Sequence, residues 1–583
     1  MSRLNVDPKS VQELFADKKA DFLIPDYQRP YAWDIDQCLT LWDDIFSFAF
    51  PDSDSTKFNQ NEEYYLGPIV TFKNSDGKSE VIDGQQRLTT LMLLLRAFYS
   101  MFSNMQDQNS INTKKMIEQC IWKTDEFGNP LTDELKIDSQ VATDDDKGEF
   151  LSILKTGLVE SGMKSRYAKN YRLFQSKIDE FLHSYPSYFP YLPARILQNC
   201  ILLPIEADDQ NTALRIFSTL NDRGLPLSDA DIFKAQFYNY FGKEGLKDQF
   251  VSKWKDLDAL CNEIFHPISG TPMDELFTRY MYYERAKQGI KNSTTEALRQ
   301  FYSKNNYSLL KSKQTFENLI VLADFWKDVY SQDDSRFTDG ELKKLSILNA
   351  APNGMWAYFV SVYFMAYKAG EGNHLEPSAF ESFLSKTIAF VWYYAITNPG
   401  VNSLRTPIYA EMINLVNHSP LTFQNAKKST RSELEIQIDN YSFLNGRPIT
   451  KSMLTWWAYQ IPGQDLLPFD TVFEIEHIFA KNRQINEKSL TDSKSLESLG
   501  NKVILEKRIN IRASDYRYQD KIKYYQGFTN GRGKKKEGTL NKELALLSFD
   551  SSRTDFTESD IAARYSKIKK SFLDFVEAEG LLN

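Results

Sequence analysis

The feature that most constrains this fold is a strand, a glycine and a helix in direct succession across residues 80–102. Residues 80–82 include the β-branched pair Val81 and Ile82, which predicts a strand. Apolar side chains then recur at the spacing of one helical face: Leu88, Leu91, Met92, Leu95 and Phe98. Asp83 and Gly84 therefore lie at a strand-to-helix turn, where glycine permits a tight backbone.

This turn has the chemistry to hold an anion. The first turn of a helix offers unpaired N–H groups, and Gln85, Gln86 and Arg87 add side-chain donors. Together with Asp83 and Gly84 they predict a phosphate site. The alternative is that Asp83 caps the helix and Arg87 is an ordinary surface charge.

Two other segments supply similar groups. Gln28 and Arg29 lie among Tyr27, Tyr31 and Trp33, whose rings either stack on a base or pack the core of the domain.

The second segment follows a helix predicted at residues 212–220. Asn221 and Arg223 either complete the phosphate site or serve as a helix end and a surface charge. Ser228 and Asp231 then form a capping-box pattern that opens the next helix.

These three segments resemble the signature of the GmrSD family of modification-dependent restriction enzymes. The resemblance is carried by an uninterrupted Asp-Gly-Gln-Gln-Arg-Leu-Thr-Thr-Leu at residues 83–91, and it covers roughly the first 240 residues. It implies an N-terminal domain similar to the ParB and sulfiredoxin nucleotide-binding fold. It also implies that a nucleoside triphosphate binds Gln28, Arg29, Asp83, Gly84, Gln85, Gln86, Arg87, Asn221 and Arg223.

Composition sets outer limits on the fold. A chain of 583 residues, 42% apolar and 25% charged, has material for about two to four domains. Its net charge of −8 excludes a uniformly basic surface, so contacts with DNA must be local. The cysteines are far apart, which argues against a cysteine zinc site and predicts free thiols in a reducing cytosol: Cys38, Cys120, Cys200 and Cys261.

The sequence predicts a cytoplasmic protein. It shows no signal peptide, and its most apolar runs, residues 355–367 and 388–396, are shorter than the about 20 residues that cross a bilayer. The pattern of residues 242–421 is almost wholly helical, without a fixed repeat.

A second chemical centre lies near the C-terminus. Glu476 and His477 precede Asn501 and Asn510 there, although a single histidine is more often structural than catalytic. The arrangement resembles that of HNH nucleases, in which two short strands and a helix hold one metal ion. The resemblance implies that His477 is the general base, that Asn501 orients the imidazole, and that Glu476 and Asn510 are metal ligands.

Phosphodiester cleavage explains why such residues are needed. A divalent cation neutralises charge on the phosphate and the leaving oxygen, while a neutral imidazole removes a proton from the attacking water. Oxygen ligands favour Mg²⁺ or Mn²⁺ over Zn²⁺. Asn510 stands where many HNH enzymes have histidine, and the interval from His477 to Asn501 is longer than usual, so an inactive domain is the alternative.

Local charge at this end favours nucleic acid. Residues 471–536 contain 15 Lys and Arg against 8 Asp and Glu, including Lys502, Lys521 and the loop at residues 530–536. The patch either contacts the phosphates of a duplex or is simply solvated.

The sequence thus predicts an α+β multidomain protein that is mostly helical. The predicted domains are a ParB/sulfiredoxin-like α/β domain at residues 1–240, a helical region at 241–425 and an HNH (ββα-metal) nuclease domain at 426–583. The predicted function is a nucleotide-dependent endonuclease of anti-phage defence that cuts modified double-stranded DNA.

Two other functions remain open at this point. One is a nucleotide-switched DNA-binding or regulatory protein with an inactive HNH domain, and the other is a nucleotide hydrolase with an unrelated substrate. The modified base, the preferred nucleotide and a homodimeric state are also left open.

Overall fold

The computed structural model describes residues 5–102, 105–141, 144–210, 212–213, 216, 228–400, 402–424, 426, 428–492, 494–547 and 554–583. It divides into two compact units, Met1–Asp256 and Leu257–Asn583. The described residues are mostly helical, and the largest sheet lies in the first unit. This confirms the α+β multidomain class. The domain limits at residues 240 and 425 and the ParB-like and HNH folds stay predictions.

Nine strands belong to the first unit. They are β1 (Asn5–Val6), β2 (Lys9–Ser10), β3 (Phe22–Ile24), β4 (Tyr64–Lys73), β5 (Ser79–Asp83), β6 (Trp122–Thr124), β7 (Pro130–Leu135), β8 (Ile137–Ser139) and β9 (Cys200–Ala207). The seven-stranded sheet has the order β1-β9-β4-β5-β3-β8, with β2 also paired to β9. It is mixed, because β4 runs parallel to β9 but antiparallel to β5. The strands β6 and β7 form a separate pair.

The helices of the first unit surround this sheet in sequence. They are α1 (Val11–Phe15), α2 (Ile35–Ala49), α3 (Gln85–Met101), α4 (Gln108–Ile121), α5 (Lys147–Thr156), α6 (Arg166–Ser184), α7 (Tyr191–Asn199) and α8 (Asp229–Lys243). Short 3₁₀ turns occur at Pro51–Ser53, Ser55–Lys57 and Pro186–Tyr188. The helix α9 (Lys247–Ile264) begins in this unit.

The helix α3 is the centre of the first core. Its side chains from Leu91 to Leu95 have no solvent-exposed surface, so it is buried on all sides rather than on one face. The predicted strand, glycine and helix are all confirmed, and the sheet carries the Asp83 turn at its interior because β5 pairs with both β4 and β3. All four cysteines are free and buried, as predicted.

The second unit begins with a long helical region. Its helices are α10 (Pro272–Lys287), α11 (Leu298–Tyr302), α12 (Lys304–Tyr307), α13 (Lys313–Ser331), α14 (Asp339–Asn349), α15 (Met355–Tyr367), α16 (Pro377–Thr397), α17 (Arg405–Val416), α18 (Arg431–Asn440) and α19 (Pro448–Tyr459), with a 3₁₀ turn at Ser308–Leu310. The predicted helical character of residues 242–421 is confirmed. None of the described helices is long and apolar enough to cross a membrane.

The end of the chain alternates short strands and helices. In order these are β10 (Phe473–His477), α20 (Lys481–Glu487), the 3₁₀ turn Leu499–Asn501, β11 (Lys502–Glu506), α21 (Lys507–Ala513), α22 (Tyr518–Gln526), β12 (Gly527–Thr529), β13 (Lys535–Glu537), α23 (Lys542–Leu547) and α24 (Glu558–Ala578). The strands β10 and β11 pair antiparallel, with His477 opposite Lys502. Two short strands followed by a helix are therefore present where the sequence predicts them.

Candidate functional site

The Asp83 turn depends on glycine. Gly84 caps the N-terminus of α3 with φ of 90°, in the left-handed region that glycine adopts readily. A Cβ atom there would lie 3.2 Å from the Pro68 carbonyl oxygen. No side chain caps α3 at this end, so its first N–H groups are left for another partner.

The charged groups of the turn lie close together. The Arg87 guanidinium packs over Gly67, where an added Cβ would come within 2.8 Å of Cζ, and its Nη1 donates to the Pro68 carbonyl at 2.7 Å. Burial raises the pKa of Asp83, while the Gly84 N–H, Arg87 and Arg29 act in the opposite direction. The structure therefore brings Asp83, Arg87 and Arg29 into one electrostatic cluster.

The glutamines of this region hold the backbone. Gln28 Nε2 donates to the carbonyls of Val81 and Ile82, each at 3.1 Å. Gln86 Oε1 accepts from the Ala32 and Trp33 N–H groups at 2.6 and 3.2 Å. These bonds fix the loop after β3 against the turn. A direct role of Gln28, Gln85 or Gln86 in binding a nucleotide stays a prediction.

One atom of this network lacks a partner. Gln28 is 3% exposed, and its Oε1 accepts no hydrogen bond from the described residues. Buried acceptors are nearly always bonded, so this oxygen fits a site that a bound molecule or water completes.

The aromatic residues divide between core and cavity. Tyr31 is buried, stacks on Tyr167 with ring centroids 4.8 Å apart, and bonds Thr90 at 2.7 Å, so it packs the core. Tyr27 instead lines a cavity of about 400 Å³ and donates to Glu80 at 3.1 Å.

The third predicted segment is described only in part. Asn221 and Arg223 lie outside the described residues. The capping box is confirmed, because Asp231 N donates to Ser228 Oγ at 3.1 Å and Ser228 N donates to Asp231 Oδ2 at 3.0 Å. Arg29 also acts on the pKa of buried Asp231, which places α8 beside the cluster.

His477 ends the strand β10 in a half-enclosed position. Its side chain is 13% exposed, and its Nε2 lies 3.6 Å from Glu497 Oε1. This Nε2 makes no hydrogen bond with the described residues. Burial, followed by the charge of Lys502, lowers the pKa of His477 to about 4. The imidazole is therefore neutral near neutral pH and able to accept a proton.

Two buried lysines hold the surroundings of His477. Lys502 is fully buried, binds Glu497 and donates to the Phe443 carbonyl at 2.5 Å. Lys521, also fully buried, donates to Glu476 Oε1 at 2.5 Å and to the His477 carbonyl at 2.9 Å.

Asn501 acts on the backbone rather than on the imidazole. Its Oδ1 accepts from Phe479 N at 2.8 Å, and its Nδ2 donates to the carbonyls of Phe479 and Leu496 at 3.1 and 3.0 Å. The expectation that it bonds the His477 ring is therefore corrected: Asn501 fixes the chain two residues beyond the histidine.

Two sequence models of known families match the chain. The model of the GmrSD restriction endonuclease N-terminal domain matches residues 11–238, and that of the GmrSD restriction endonuclease C-terminal domain matches residues 421–571. The chain belongs to the GmrSD family. Membership identifies it as a restriction endonuclease with DNA as substrate, and disfavours a purely regulatory protein. No curated protein gave a match.

The predicted metal ligands of this GmrSD protein are anchored in different ways. Lys521 and Tyr525 both donate to the same oxygen of Glu476, Oε1, at 2.5 and 3.2 Å, which leaves Oε2 for another partner. Asn510 donates through Nδ2 to Glu474 at 3.0 Å, which leaves its amide oxygen. These two oxygens have the chemistry that Mg²⁺ or Mn²⁺ prefers.

A cation held there would need further ligands. No group of three or more His, Cys, Asp or Glu side chains in the described part of the chain is placed to hold a metal. Water and DNA phosphate are the remaining oxygen donors, as is usual for Mg²⁺.

Sequence reasoning missed four groups of the GmrSD C-terminal centre, namely Glu497, Lys502, Lys521 and Tyr525. Glu497 belongs to no recognised motif, and the two lysines were assigned to the phosphate-binding patch. That assignment is wrong, because both ammonium groups are fully buried on carboxylates. The exposed cations that remain are concentrated on α21 and on the hairpin of β12 and β13.

Proposed function

We propose that this protein is a nucleotide-dependent endonuclease that cuts modified double-stranded phage DNA. The C-terminal unit performs the cleavage with His477 as general base. The observation that carries this proposal is the His477 imidazole, which is neutral, keeps Nε2 free of hydrogen bonds within the described structure, and faces Glu497 at 3.6 Å.

In this mechanism His477 accepts a proton from the attacking water. Glu497 stabilises the imidazolium that forms, because a carboxylate within 4 Å favours the charged ring. Lys502 holds Glu497, and Lys521 holds both the His477 backbone and Glu476. Asn501 fixes the chain that follows.

Glu476 and Asn510 would hold a divalent cation through their remaining oxygens. When bound, such a cation stabilises negative charge on the phosphate and on the leaving oxygen. The protein contributes anchored ligands, since each side chain is tied down through its other polar atom.

The nucleotide binds the first unit at the Asp83 turn. The support is the uncapped N-terminus of α3, the clustered Arg87 and Arg29, and the unbonded Oε1 of buried Gln28. An N-terminal helix end with adjacent guanidinium groups suits a phosphate. Asn221 and Arg223 are proposed to complete this site.

A cleavage panel tests the proposal. Purified wild-type protein is incubated with modified and unmodified phage DNA, with and without Mg²⁺ and a nucleoside triphosphate. We expect cleavage of modified DNA that requires both additions. His477→Ala should abolish cleavage, whereas His266→Ala, which changes an exposed histidine of the same unit, should not. If His477→Ala cuts as well as wild type, the catalytic assignment is wrong.

A further inference from the structure

The hairpin formed by β12 and β13 concentrates exposed positive charge. Arg532, Lys534, Lys535 and Lys536 lie within five residues of its tip and second strand, and the first three are exposed. None of the four forms an ion pair with a described residue, unlike Lys502 and Lys521 nearby.

The tip of this hairpin is an ordered turn. Asn530 Oδ1 accepts from the N–H groups of Arg532 and Lys534 at 3.1 and 2.9 Å, and the Asn530 carbonyl accepts from Gly533 at 2.9 Å. Gly533 adopts φ of 71°, which glycine allows without strain. The four cations are thus held on a shaped element rather than on a flexible tail.

The base of the hairpin is fixed to the candidate nuclease centre. The helix α22 carries Lys521 and Tyr525, both bonded to Glu476, and leads directly into β12. The chain returns against the same helix, since Thr539 N donates to the Tyr525 carbonyl at 2.8 Å. Thr539 also donates to Glu506 of β11 at 2.8 Å.

The contact at the base leaves no space for adjustment. A Cβ atom on Gly538 would lie 2.5 Å from the Tyr525 carbonyl oxygen, and one on Gly527 would lie 2.6 Å from Gly538 N. The position of the hairpin is therefore set by the helix that also positions Glu476.

We propose that this hairpin is a DNA-binding ribbon that enters the major groove of the substrate duplex and fixes the register of the DNA relative to Glu476. The major groove admits a two-stranded ribbon, and exposed cations without internal partners are available to phosphates. An ordered tip lowers the entropy lost on binding. The inference rests on the proposed nuclease function and adds the element that positions the substrate.

The salt dependence of DNA binding tests the hairpin directly. The full-length protein is titrated with a fluorescent unmodified duplex in EDTA, and the logarithm of the binding constant is plotted against that of the salt concentration. Each lost phosphate contact reduces the slope by about 0.9. Changing Arg532, Lys534, Lys535 and Lys536 together to Gln should lower the magnitude of the slope by about 2 to 4.

A matched control keeps the same change in net charge. The variant Lys287→Gln, Lys291→Gln, Lys311→Gln and Lys313→Gln alters four exposed lysines elsewhere in the second unit. It should leave the slope as in wild type. An unchanged slope in the hairpin variant, or an equal loss in the control, overturns the inference.

A charge-neutral variant tests the ordered tip. Asn530→Ala removes the two hydrogen bonds that shape the turn but no charge. We expect DNA affinity to fall by about three- to tenfold with the slope nearly unchanged. Wild-type affinity in this variant would show that tip geometry is irrelevant and would contradict the proposed insertion.

The two proposals fail in different ways. If wild-type protein cuts DNA but its salt slope does not depend on the hairpin, this inference fails and the proposed function stands. If the slope depends on the hairpin but His477→Ala cuts DNA as wild type does, the catalytic assignment fails and the ribbon stands. Wild-type protein that binds no duplex at all contradicts both.

Discussion

At the scale of single residues, the chemistry of the C-terminal centre depends on charges placed around one imidazole. Burial and Lys502 disfavour protonation of His477, while Glu497 favours it. Burial also acts against ionisation of Glu497, but Lys502 outweighs it and the pKa of Glu497 is lowered. Glu497 is therefore a carboxylate that stands ready when His477 takes up a proton.

The first prediction concerns this carboxylate. Glu497→Gln keeps the shape of the side chain but removes the charge that stabilises the imidazolium, so kcat for DNA cleavage should fall by about 10- to 100-fold. KM should change little, because Glu497 positions His477 and does not bind DNA. Steady-state cleavage assays on folded protein measure both constants.

The matched control is Glu435→Gln, which also removes a carboxylate paired with a lysine, Lys569 at 3.2 Å, but has no contact with His477. Partial recovery of kcat in Glu497→Asp would support the role of the charge. A Glu497→Gln enzyme with wild-type kcat would exclude Glu497 from the mechanism.

The second prediction is a pH dependence. Because the pKa of folded His477 is lowered from 6.5 to about 4, the base remains unprotonated above about pH 4. Cleavage should therefore lose activity only as the pH falls through about 4, and a profile of kcat/KM against pH measures this. An acid limb near the ordinary histidine value would contradict the burial of the ring.

The same shift affects stability with a definite sign. Between about pH 4 and 6.5 the unfolded chain binds the His477 proton and the folded chain does not. The free energy of unfolding should therefore decrease as pH falls through that window. In His477→Gln this part of the pH dependence should be absent, which urea titrations at several pH values would show.

At the scale of elements, the last helix supports the turn that carries Asn501. Arg564 of α24 binds Glu543 through two bonds of 2.7 Å, and its Nη1 donates to the carbonyls of Leu499 and Lys502 at 2.7 Å. The Leu499–Asn501 turn is thus fixed between β11 and a helix more than fifty residues later in the chain.

The third prediction tests that contact. A Cβ atom on Gly500 would lie 2.0 Å from the Ile561 carbonyl oxygen, so Gly500→Ala must displace α24 or the turn. We expect a loss of about 1–3 kcal/mol in the free energy of unfolding, together with reduced cleavage because Asn501 is displaced. Chemical denaturation and cleavage assays measure the two effects.

Gly446→Ala is the control, since an added Cβ there meets no atom within 4 Å. Equal stabilities of the two variants would mean that the close packing of α24 on Gly500 has no energetic role.

At the scale of the whole molecule, the two units carry different chemistry. The first contains the clustered Asp83, Arg87 and Arg29, and the second contains His477 and its lysine-anchored carboxylates. Nucleotide dependence requires that occupancy of the first site changes the activity of the second.

The fourth prediction separates binding from cutting. Arg87→Ala should abolish nucleotide binding, because it removes the buried guanidinium beside the α3 N-terminus. Wild-type protein should gain about 2.7 kcal/mol of stability at a nucleotide concentration 100 times Kd, seen as a rise in Tm, and Arg87→Ala should gain none. Arg166→Ala, at an exposed arginine of the same unit, should respond like wild type.

This variant also reports on coupling. If Arg87→Ala retains its response to nucleotide, Arg87 lies outside the site. If it loses the response but cuts DNA at the full rate, the nuclease is independent of the nucleotide.

The sequence by itself determined the local features of this protein. The strand, Gly84 and α3, the Ser228 capping box, the helical region and the order of β10, β11 and α21 follow from side-chain periodicity and backbone preferences that neighbouring residues set. The family follows from the same local motifs.

Only the tertiary structure decided which polar side chains are free. Lys502 and Lys521 have the composition of a phosphate-binding patch, yet both are buried on carboxylates. Glu497 comes to His477 from twenty residues away, and Asn501 turns to the Phe479 backbone instead of the ring. Burial and pairing depend on chain segments that meet in space, and no spacing along the sequence encodes them.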